Sequence, residues 1–261
     1  MAFTTIDLEA DDGVAVLAFN RPQTLNSVNA AMHAELREAL DGVRDDSAIR
    51  CLLITGRGRA FCAGQDLAER AAGPMPPDLE ASLNDNYNPL IRRITALPKP
   101  VVCAVNGVAA GAGASIALAC DIVLAARSAS FIQSFGRVGL VPDSGGSWWL
   151  PHLVGRARAM GLAMTGERLS AERAEAWGLI WRCVDDDALA DEAMALARRL
   201  AAQPTLGLAR TKQAITAAAH NDLDSQLDLE ARLQGECGLS DDYREGVSAF
   251  IEKREPLFRG R

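Results

Sequence analysis

Between residues 101 and 121 the chain runs from an apolar stretch through a glycine-rich turn into a small-residue helix, and few folds can accommodate that order. Val101 to Val105 has the unbroken apolar character of a buried strand. Gly107, Gly111 and Gly113 remove side chains from the turn that follows, and Ser115 to Cys120 begins a packed helix. Glycine and alanine along such a turn let backbone N–H groups approach a ligand atom closely, and the start of a helix adds partial positive charge. The stretch is therefore expected to form an anion-binding turn. The same small residues also let a helix lie close on a sheet with no ligand at all, so the stretch by itself leaves both uses open.

Two other segments share its character. Ala60-Phe61-Cys62-Ala63-Gly64-Gln65-Asp66-Leu67 places a glycine just after a strand exit and before a helical turn, so it supplies a second backbone N–H able to converge on the same atom. Gly139-Leu140-Val141-Pro142-Asp143-Ser144-Gly145-Gly146 holds a carboxylate among turn residues, just before Trp148, Trp149 and Leu150. An aspartate so placed commonly caps a helix, because its carboxylate accepts backbone N–H bonds.

Around these segments the pattern is α/β. Thr4 to Glu9 and Val14 to Phe19, joined at Asp11-Asp12-Gly13, read as a hairpin. A helix from about Asn29 to Val43 follows, with Met32, Leu36, Leu40 and Val43 on one face, and Cys51 to Thr55 is a second buried strand. Residues 71 to 83, with Gly73, Pro74, Pro76 and Pro77, suit a mobile surface loop. Tyr87 to Ala96 is helix-like, Ile122 to Ala125 is a strand, and Ser130-Phe131 and Phe135-Gly136 read as short extended pieces. From Gly155 onward the chain reads as helices over Ala157–Met164, Ser170–Trp177, Leu189–Ala201, Leu206–Ala219, Leu223–Leu233 and Tyr243–Lys253, with one extended run between Ile180 and Val184.

Composition removes several classes of function. With 261 residues, 49% of them hydrophobic, the chain can bury a substantial core. A net charge of −7 argues against nucleic acid as a partner. Met1 to Glu9 lacks the apolar core of a signal peptide and the longer apolar runs are interrupted, so a cytoplasmic protein with no membrane partner is expected. The six cysteines, Cys51, Cys62, Cys103, Cys120, Cys183 and Cys237, are dispersed without C-x-x-C spacing, and His33, His152 and His220 are scattered. Neither a metal centre nor a disulfide framework is expected, and each histidine reads as a packing or surface residue.

Asn20-Arg21-Pro22 with Leu25-Asn26-Ser27, Phe61 to Leu67, Val105-Asn106-Gly107 through Gly113, Cys120-Asp121-Ile122 and Arg244-Glu245-Gly246-Val247-Ser248-Ala249-Phe250 together resemble the enoyl-CoA hydratase/isomerase (crotonase) superfamily. The resemblance spans essentially the whole chain. It implies a spiral of ββα units over residues 1–200 carrying an acyl-CoA site, and a C-terminal helical trimerisation region over 201–261. The assembly it implies is a homo-oligomer, either a trimer or a dimer of trimers. It also implies an enolate held at the thioester oxygen by two backbone donors, which by motif are the N–H groups of Gln65 and Ala112. Leu25, Ala63, Asp66 and Leu67 fall in the region of the CoA adenine and pantetheine, Gly111 lies in the turn itself, and Phe250 and Lys253 are further candidates. No metal or redox cofactor is implied, since coenzyme A enters as part of the substrate.

The chain departs from the hydratase pattern of that family at two positions. Hydratases hold a water between two glutamates, one after the glycine turn and one on the next loop; here those positions are Ser115 and Phe135. No glutamate occurs between Glu80 and Glu167, and the aspartates in that window are Asp85, Asp121 and Asp143. Asp121 reads as structural, whereas Asp143 lies on the loop that the family uses for catalysis. One carboxylate suffices to take a proton from one carbon and return it to another, so isomerisation is expected, with Asp143 as the acid/base. Apolar neighbours such as Trp148 and Trp149 are candidates to raise its pKa, and with Phe131 and Phe135 they are candidates to line an aromatic pocket. Tyr87-Asn88-Pro89-Leu90, Gly139 to Gly146, Gly155 to Ala163 and Asp241 to Gly246 resemble the branch of the family that rearranges the ring epoxide of an aryl acyl-CoA to an oxepin and can shift a 3-enoyl double bond to position 2. The alternatives are a general enoyl-CoA isomerase or hydratase of fatty acid catabolism, an aspartate nucleophile as in aryl-CoA dehalogenation, and a non-catalytic acyl-CoA-binding subunit.

Overall fold

The computed structural model describes residues 3–73 and 77–261. The chain opens with the expected hairpin, β1 (Ile6–Asp11) and β2 (Val14–Phe19), turning at Asp12 and Gly13, both with positive φ. Helix α1 (Ala30–Asp45) is capped by Asn29, whose side chain accepts the Met32 N–H, and it buries Met32, Leu36, Leu40 and Val43 as their spacing requires.

Three consecutive units then repeat one path: a strand in a large sheet, a short strand in a small sheet, and helix. The first is β3 (Cys51–Gly56), β4 (Ala60–Cys62) and the helices α2 (Leu67–Ala72), α3 (Leu79–Ser82) and α4 (Asn88–Ala96). The second is β5 (Val101–Val105), β6 (Val108–Ala110) and α5 (Ala112–Leu118); the third is β7 (Ile122–Ala126), β8 (Ser130–Ile132) and α6 (Gly146–Thr165). The chain continues through β9 (Arg168–Ser170), α7 (Ala171–Ala176), β10 (Arg182–Val184) and α8 (Leu189–Ala201). In the large sheet the order is β1-β2-β3-β5-β7-β10, parallel except for the β1 edge; in the small sheet it is β4-β6-β8-β9, with β9 antiparallel. This is the expected ββα spiral, with β3 and β5 buried on both faces between helices and the second sheet.

Glycine sets how closely the layers approach. A Cβ on Gly107 would lie 2.2 Å from the Arg59 carbonyl oxygen, and one on Gly113 would lie 2.2 Å from the Cys62 carbonyl oxygen. Only a bare α-carbon lets the glycine turn rest against β4 and its flanks.

Helices α9 (Thr205–Ala218), α10 (Leu223–Gly238) and α11 (Asp241–Glu252) complete the chain. The Arg50 guanidinium donates to Thr205 Oγ1 and the Phe258 carbonyl, and Lys212 Nζ donates to the Ile94 carbonyl and pairs with Asp121, so the C-terminal helices are tied to the start of β3 and of β7.

Several expectations are corrected. Pro74 and Pro76, in the expected loop over 71–83, lie outside the described residues; on either side the chain is helical, and residues 83–87 form a π turn joining α3 to α4. Asp78 caps α3 through the Ala81 N–H, a signal masked by the neighbouring prolines. Phe135-Gly136 is not extended but part of a 3-10 turn over Ser134–Val138. Helix α6 begins eleven residues before Ala157, at Gly146, and bends at Gly155, whose φ of 76° is outside the helical region. Strands β6 and β9 are too short to leave a periodic signal.

Substituting Gly113→Ala should destabilise the fold by about 3 kcal/mol in denaturant titrations, since the carbonyl it meets belongs to a packed strand. Gly42→Ala, in an exposed turn of α1 with nothing within 4 Å of the added carbon, should instead stabilise by about 0.5–1 kcal/mol.

Candidate active site

Two loops meet at the point where β4 and β6 end side by side. After β4, Ala63 N donates to the Leu25 carbonyl, Val28 N to the Gly64 carbonyl and Asp66 N to the Val28 carbonyl. Because Gly64 and Asp66 turn their bonding groups towards Val28, the N–H of Gln65 between them faces the other edge, along which β6 and the glycine turn run. Gly64 has φ of +90°, and a Cβ there would lie 2.7 Å from the Ala110 carbonyl oxygen and 3.3 Å from Ala112 N. Gly111, with φ of 52° and ψ of −127°, turns the chain into α5, so Ala112 N–H begins the helix with no acceptor in its own turn. Among the described residues neither Gln65 N–H nor Ala112 N–H has an acceptor. The structure thus brings Leu25, Ala63, Gly64, Gln65, Gly111 and Ala112 together.

The side chains around these loops have distinct tasks. The Asp66 carboxylate caps α2 by accepting from Ala68 N and Glu69 N, and it pairs with Arg21 at 2.8 Å. Burial opposes its charge, but the Glu69 N–H and the Arg21 guanidinium hold it below the usual carboxylate range. Its carboxylate is therefore committed within the protein, as are its N–H, which donates to the Val28 carbonyl, and its carbonyl, which accepts from Arg70 N. Leu67 is 55% exposed at the first position of α2. Oriented to satisfy its neighbours, the Gln65 amide oxygen accepts from Arg70 Nε at 2.8 Å, and Arg70 Nη2 donates to Ser82 Oγ at 2.8 Å, strapping α2 to α3.

Asp143 is held differently. Its carbonyl accepts from Gly146 N at 2.7 Å and from Ser115 Oγ at 3.0 Å, fastening the turn to α5. Ser144 and Gly145 both have positive φ, so the chain enters α6 through a tight turn in which Gly145, not Asp143, is the N-cap residue. The Asp143 carboxylate therefore does not cap the helix. Among the described residues its one partner is the Ser144 hydroxyl, which donates to Oδ1 at 2.8 Å. Burial pushes its pKa above the usual range, opposed only by that hydroxyl. Trp149 packs beneath this turn: a Cβ on Gly145 would lie 2.6 Å from its Nε1.

The two positions of the missing glutamates are filled by packing. Ser115 is fully buried, and Phe135 is buried with its ring edge 3.8 Å from where a Gly111 Cβ would lie. The other aspartates are committed elsewhere: Asp121 accepts Val101 N and pairs with Lys212, and Asp85 lies in the π turn. Phe250, 85% exposed, and Lys253 are not brought to the cluster, because α11 packs on α10 rather than on the sheets.

Beside Gln65 a cleft of about 390 Å³ opens between α1, α2 and the π turn, with His33, Arg70, Ser82 and Tyr87 in its walls. Among the described residues neither ring nitrogen of His33 nor the Tyr87 hydroxyl has a hydrogen-bond partner. Sequence alone reads His33 as a packing or surface residue and Tyr87 as the start of a helix; what distinguishes them is the missing partner, which only coordinates reveal. No group of His, Cys, Asp and Glu among the described residues could hold a metal ion, all six cysteines are free, and no helix among those residues is long and apolar enough to cross a membrane.

Comparison with known proteins gives a consistent picture. The Enoyl-CoA hydratase/isomerase family matches residues 9–261. The 1,2-epoxyphenylacetyl-CoA isomerase of Escherichia coli strain K12 is 59% identical over 253 residues, covering 96% of this chain and 97% of its own. A Rhodobacter capsulatus protein named "Probable enoyl-CoA hydratase" is 50% identical over the full length of both chains. Among solved structures, the enoyl-CoA hydratase of Bacillus anthracis superposes with a TM-score of 0.94 at 32% identity, covering 99% of this chain and all of the other.

Because burial disfavours the charged form of Asp143, its ionisation costs stability above the folded-state pKa and costs nothing below the unfolded value of about 3.9. Asp143→Asn should therefore raise the unfolding midpoint at pH 7, with the gain shrinking to nothing as the pH falls below about 4.

Proposed function

The chain belongs to the enoyl-CoA hydratase/isomerase family, and from that membership we propose that it is a 1,2-epoxyphenylacetyl-CoA isomerase of phenylacetate catabolism that also shifts 3-enoyl-CoA to 2-enoyl-CoA. The observation that carries this reading is a single half-buried carboxylate, Asp143, with no cationic partner among the described residues and no capping role, beside a site whose two hydratase positions are Ser115 and Phe135.

In this reading the thioester oxygen accepts from Gln65 N–H and Ala112 N–H. Negative charge grows on that oxygen as a proton leaves the adjacent carbon, so fixed donors stabilise the transition state more than the bound substrate. One such donor is worth about 3–4 kcal/mol. With a 3-enoyl-CoA, Asp143 takes the α-proton, the electron pair delocalises over the thioester carbonyl and the adjoining double bond as a dienolate, and the carboxylic acid returns the proton at the γ-carbon. The double bond ends between the α- and β-carbons, and the mass is unchanged.

The ring epoxide uses the same proton path. The bond between the two epoxide carbons opens as the ring widens to a seven-membered oxepin, which moves electron pairs but no proton. The methylene next to the thioester then gives its proton to Asp143, and the γ-carbon, now a ring carbon, receives it. A carboxylate pKa raised by burial suits both halves of this transfer, since the group must be base and then acid. Leu25, Ala63, Gly111 and the backbone at Asp66 and Leu67 border the path of CoA towards that oxygen. Phe250 and Lys253 reach CoA from a neighbouring subunit, in a homo-oligomer joined through residues 201–261, whose outer faces carry Leu239, Val247, Ile251 and Leu257. A cytoplasmic location accompanies this assignment.

Mass spectrometry of the products tests it. Wild-type protein should convert both 1,2-epoxyphenylacetyl-CoA and a 3-enoyl-CoA to products of unchanged mass, and Asp143→Asn should lower both rates by about 10³-fold. A product heavier by one water would overturn the isomerase reading in favour of hydration. Binding of both thioesters without turnover, unaffected by Asp143→Asn, would favour a non-catalytic subunit.

A further inference from the structure

Tyr87 is 4% exposed and His33 is 7% exposed, and their rings meet edge to face with centroids 4.3 Å apart. Both form part of the wall of the cleft beside Gln65. The phenol hydroxyl and both imidazole nitrogens are buried without a hydrogen-bond partner among the described residues. A buried donor left unpaired costs about 1–3 kcal/mol, so two such side chains side by side are an expense that close packing alone does not explain, since Phe and Leu would fill the same volume without it. Burial, with Cys62 and Asp143 nearby, holds the phenol well above its ordinary range, and burial with Arg37 lowers His33 to about 4. At neutral pH the pair is uncharged, and the phenol is a donor rather than a base.

The position of the pair defines what it would meet. Gln65 borders the same cleft, and its N–H is the donor assigned to the thioester oxygen. In a ring epoxide or an oxepin the ring oxygen is bonded to the β-carbon, two bonds from the thioester carbonyl carbon. Tyr87 stands where the cleft comes up to the site, with Cys62 of β4 and Asp143 near its phenol, so an acyl group with its carbonyl at Gln65 N–H and its α-carbon at Asp143 has its ring oxygen on the side of Tyr87.

We propose that Tyr87 is a specificity-determining residue whose hydroxyl donates a hydrogen bond to an oxygen carried on the ring of the acyl group, with His33 positioning the phenol. The inference rests on the ring-epoxide activity proposed above, and it assigns to Tyr87 the discrimination between oxygenated and plain acyl groups. A donor shielded from water discriminates strongly, because an acyl group lacking the acceptor leaves it unpaired.

The test uses two unreactive thioesters of nearly equal shape, 2-hydroxyphenylacetyl-CoA and 2-methylphenylacetyl-CoA, titrated calorimetrically into wild type and Tyr87→Phe. Wild type should bind the hydroxylated compound about five- to tenfold more tightly. Tyr87→Phe should lose that preference while its affinity for the methylated compound stays within about twofold of wild type. Absence of the preference in wild type, its survival in Tyr87→Phe, or an equal loss for both compounds would each overturn the proposal, the last by showing a structural role. Turnover of 1,2-epoxyphenylacetyl-CoA is followed on the same wild-type preparation. No turnover with the preference intact would reject the proposed activity and keep the oxygen-binding role, whereas turnover without the preference would do the reverse.

Discussion

The site depends on the approach of two backbones with no side chain between them. Gly113 lies against the carbonyl of Cys62, Gly107 against that of Arg59, and Gly64 against Ala110 and Ala112. These contacts hold the end of β4 beside the start of α5, and neither Gln65 N–H nor Ala112 N–H is used by an acceptor among the described residues. Donors that need no reorganisation are the ones that stabilise developing charge. A methyl group at Gly113 would separate the layers, so stability and the geometry of the donors have one origin.

The aspartates of this region differ in what surrounds them rather than in depth alone. Asp66 has two helix N–H groups and Arg21, and Asp121 has the Val101 N–H and Lys212. Asp143 has a neighbouring serine hydroxyl and burial. A carboxylate paired with a cation is stabilised as the anion and makes a poor acid; one desolvated without a cation exchanges its proton more readily. Ser115 contributes here without touching the reaction, since its hydroxyl bonds the Asp143 carbonyl and ties the loop to the helix that carries Ala112. A glutamate at that fully buried position would have to displace this link.

The long strands and helices were legible because each carries enough periodic residues to show its face, as Met32, Leu36, Leu40 and Val43 do on α1. Short elements were not: β6 and β9 span three residues each, and the start of α6 is obscured by Gly145, Gly146 and Pro151. The segment around Pro77 reads as loop, yet Asp78 starts a helix immediately after it. The motif residues of the site were legible for a different reason. Glycines forced by close backbone contact cannot be replaced without a clash, so they mark the turn in the sequence itself.

Sequence by itself determined the α/β spiral, the glycine turn and the loss of both hydratase glutamates, and it put forward Asp143 rather than Asp85 or Asp121 as the candidate carboxylate. Those features are local: they depend on residue type, spacing and the absence of a carboxylate. Tertiary structure alone decided that Asp143 is not a helix cap, that Asp66 is committed to Arg21 and α2, and that Phe250 and Lys253 stand apart from the loops within one chain. It alone revealed Tyr87 and His33 as buried polar groups without partners among the described residues. Whether a polar atom is satisfied depends on groups far away in sequence, and no pattern of neighbouring residues carries that information.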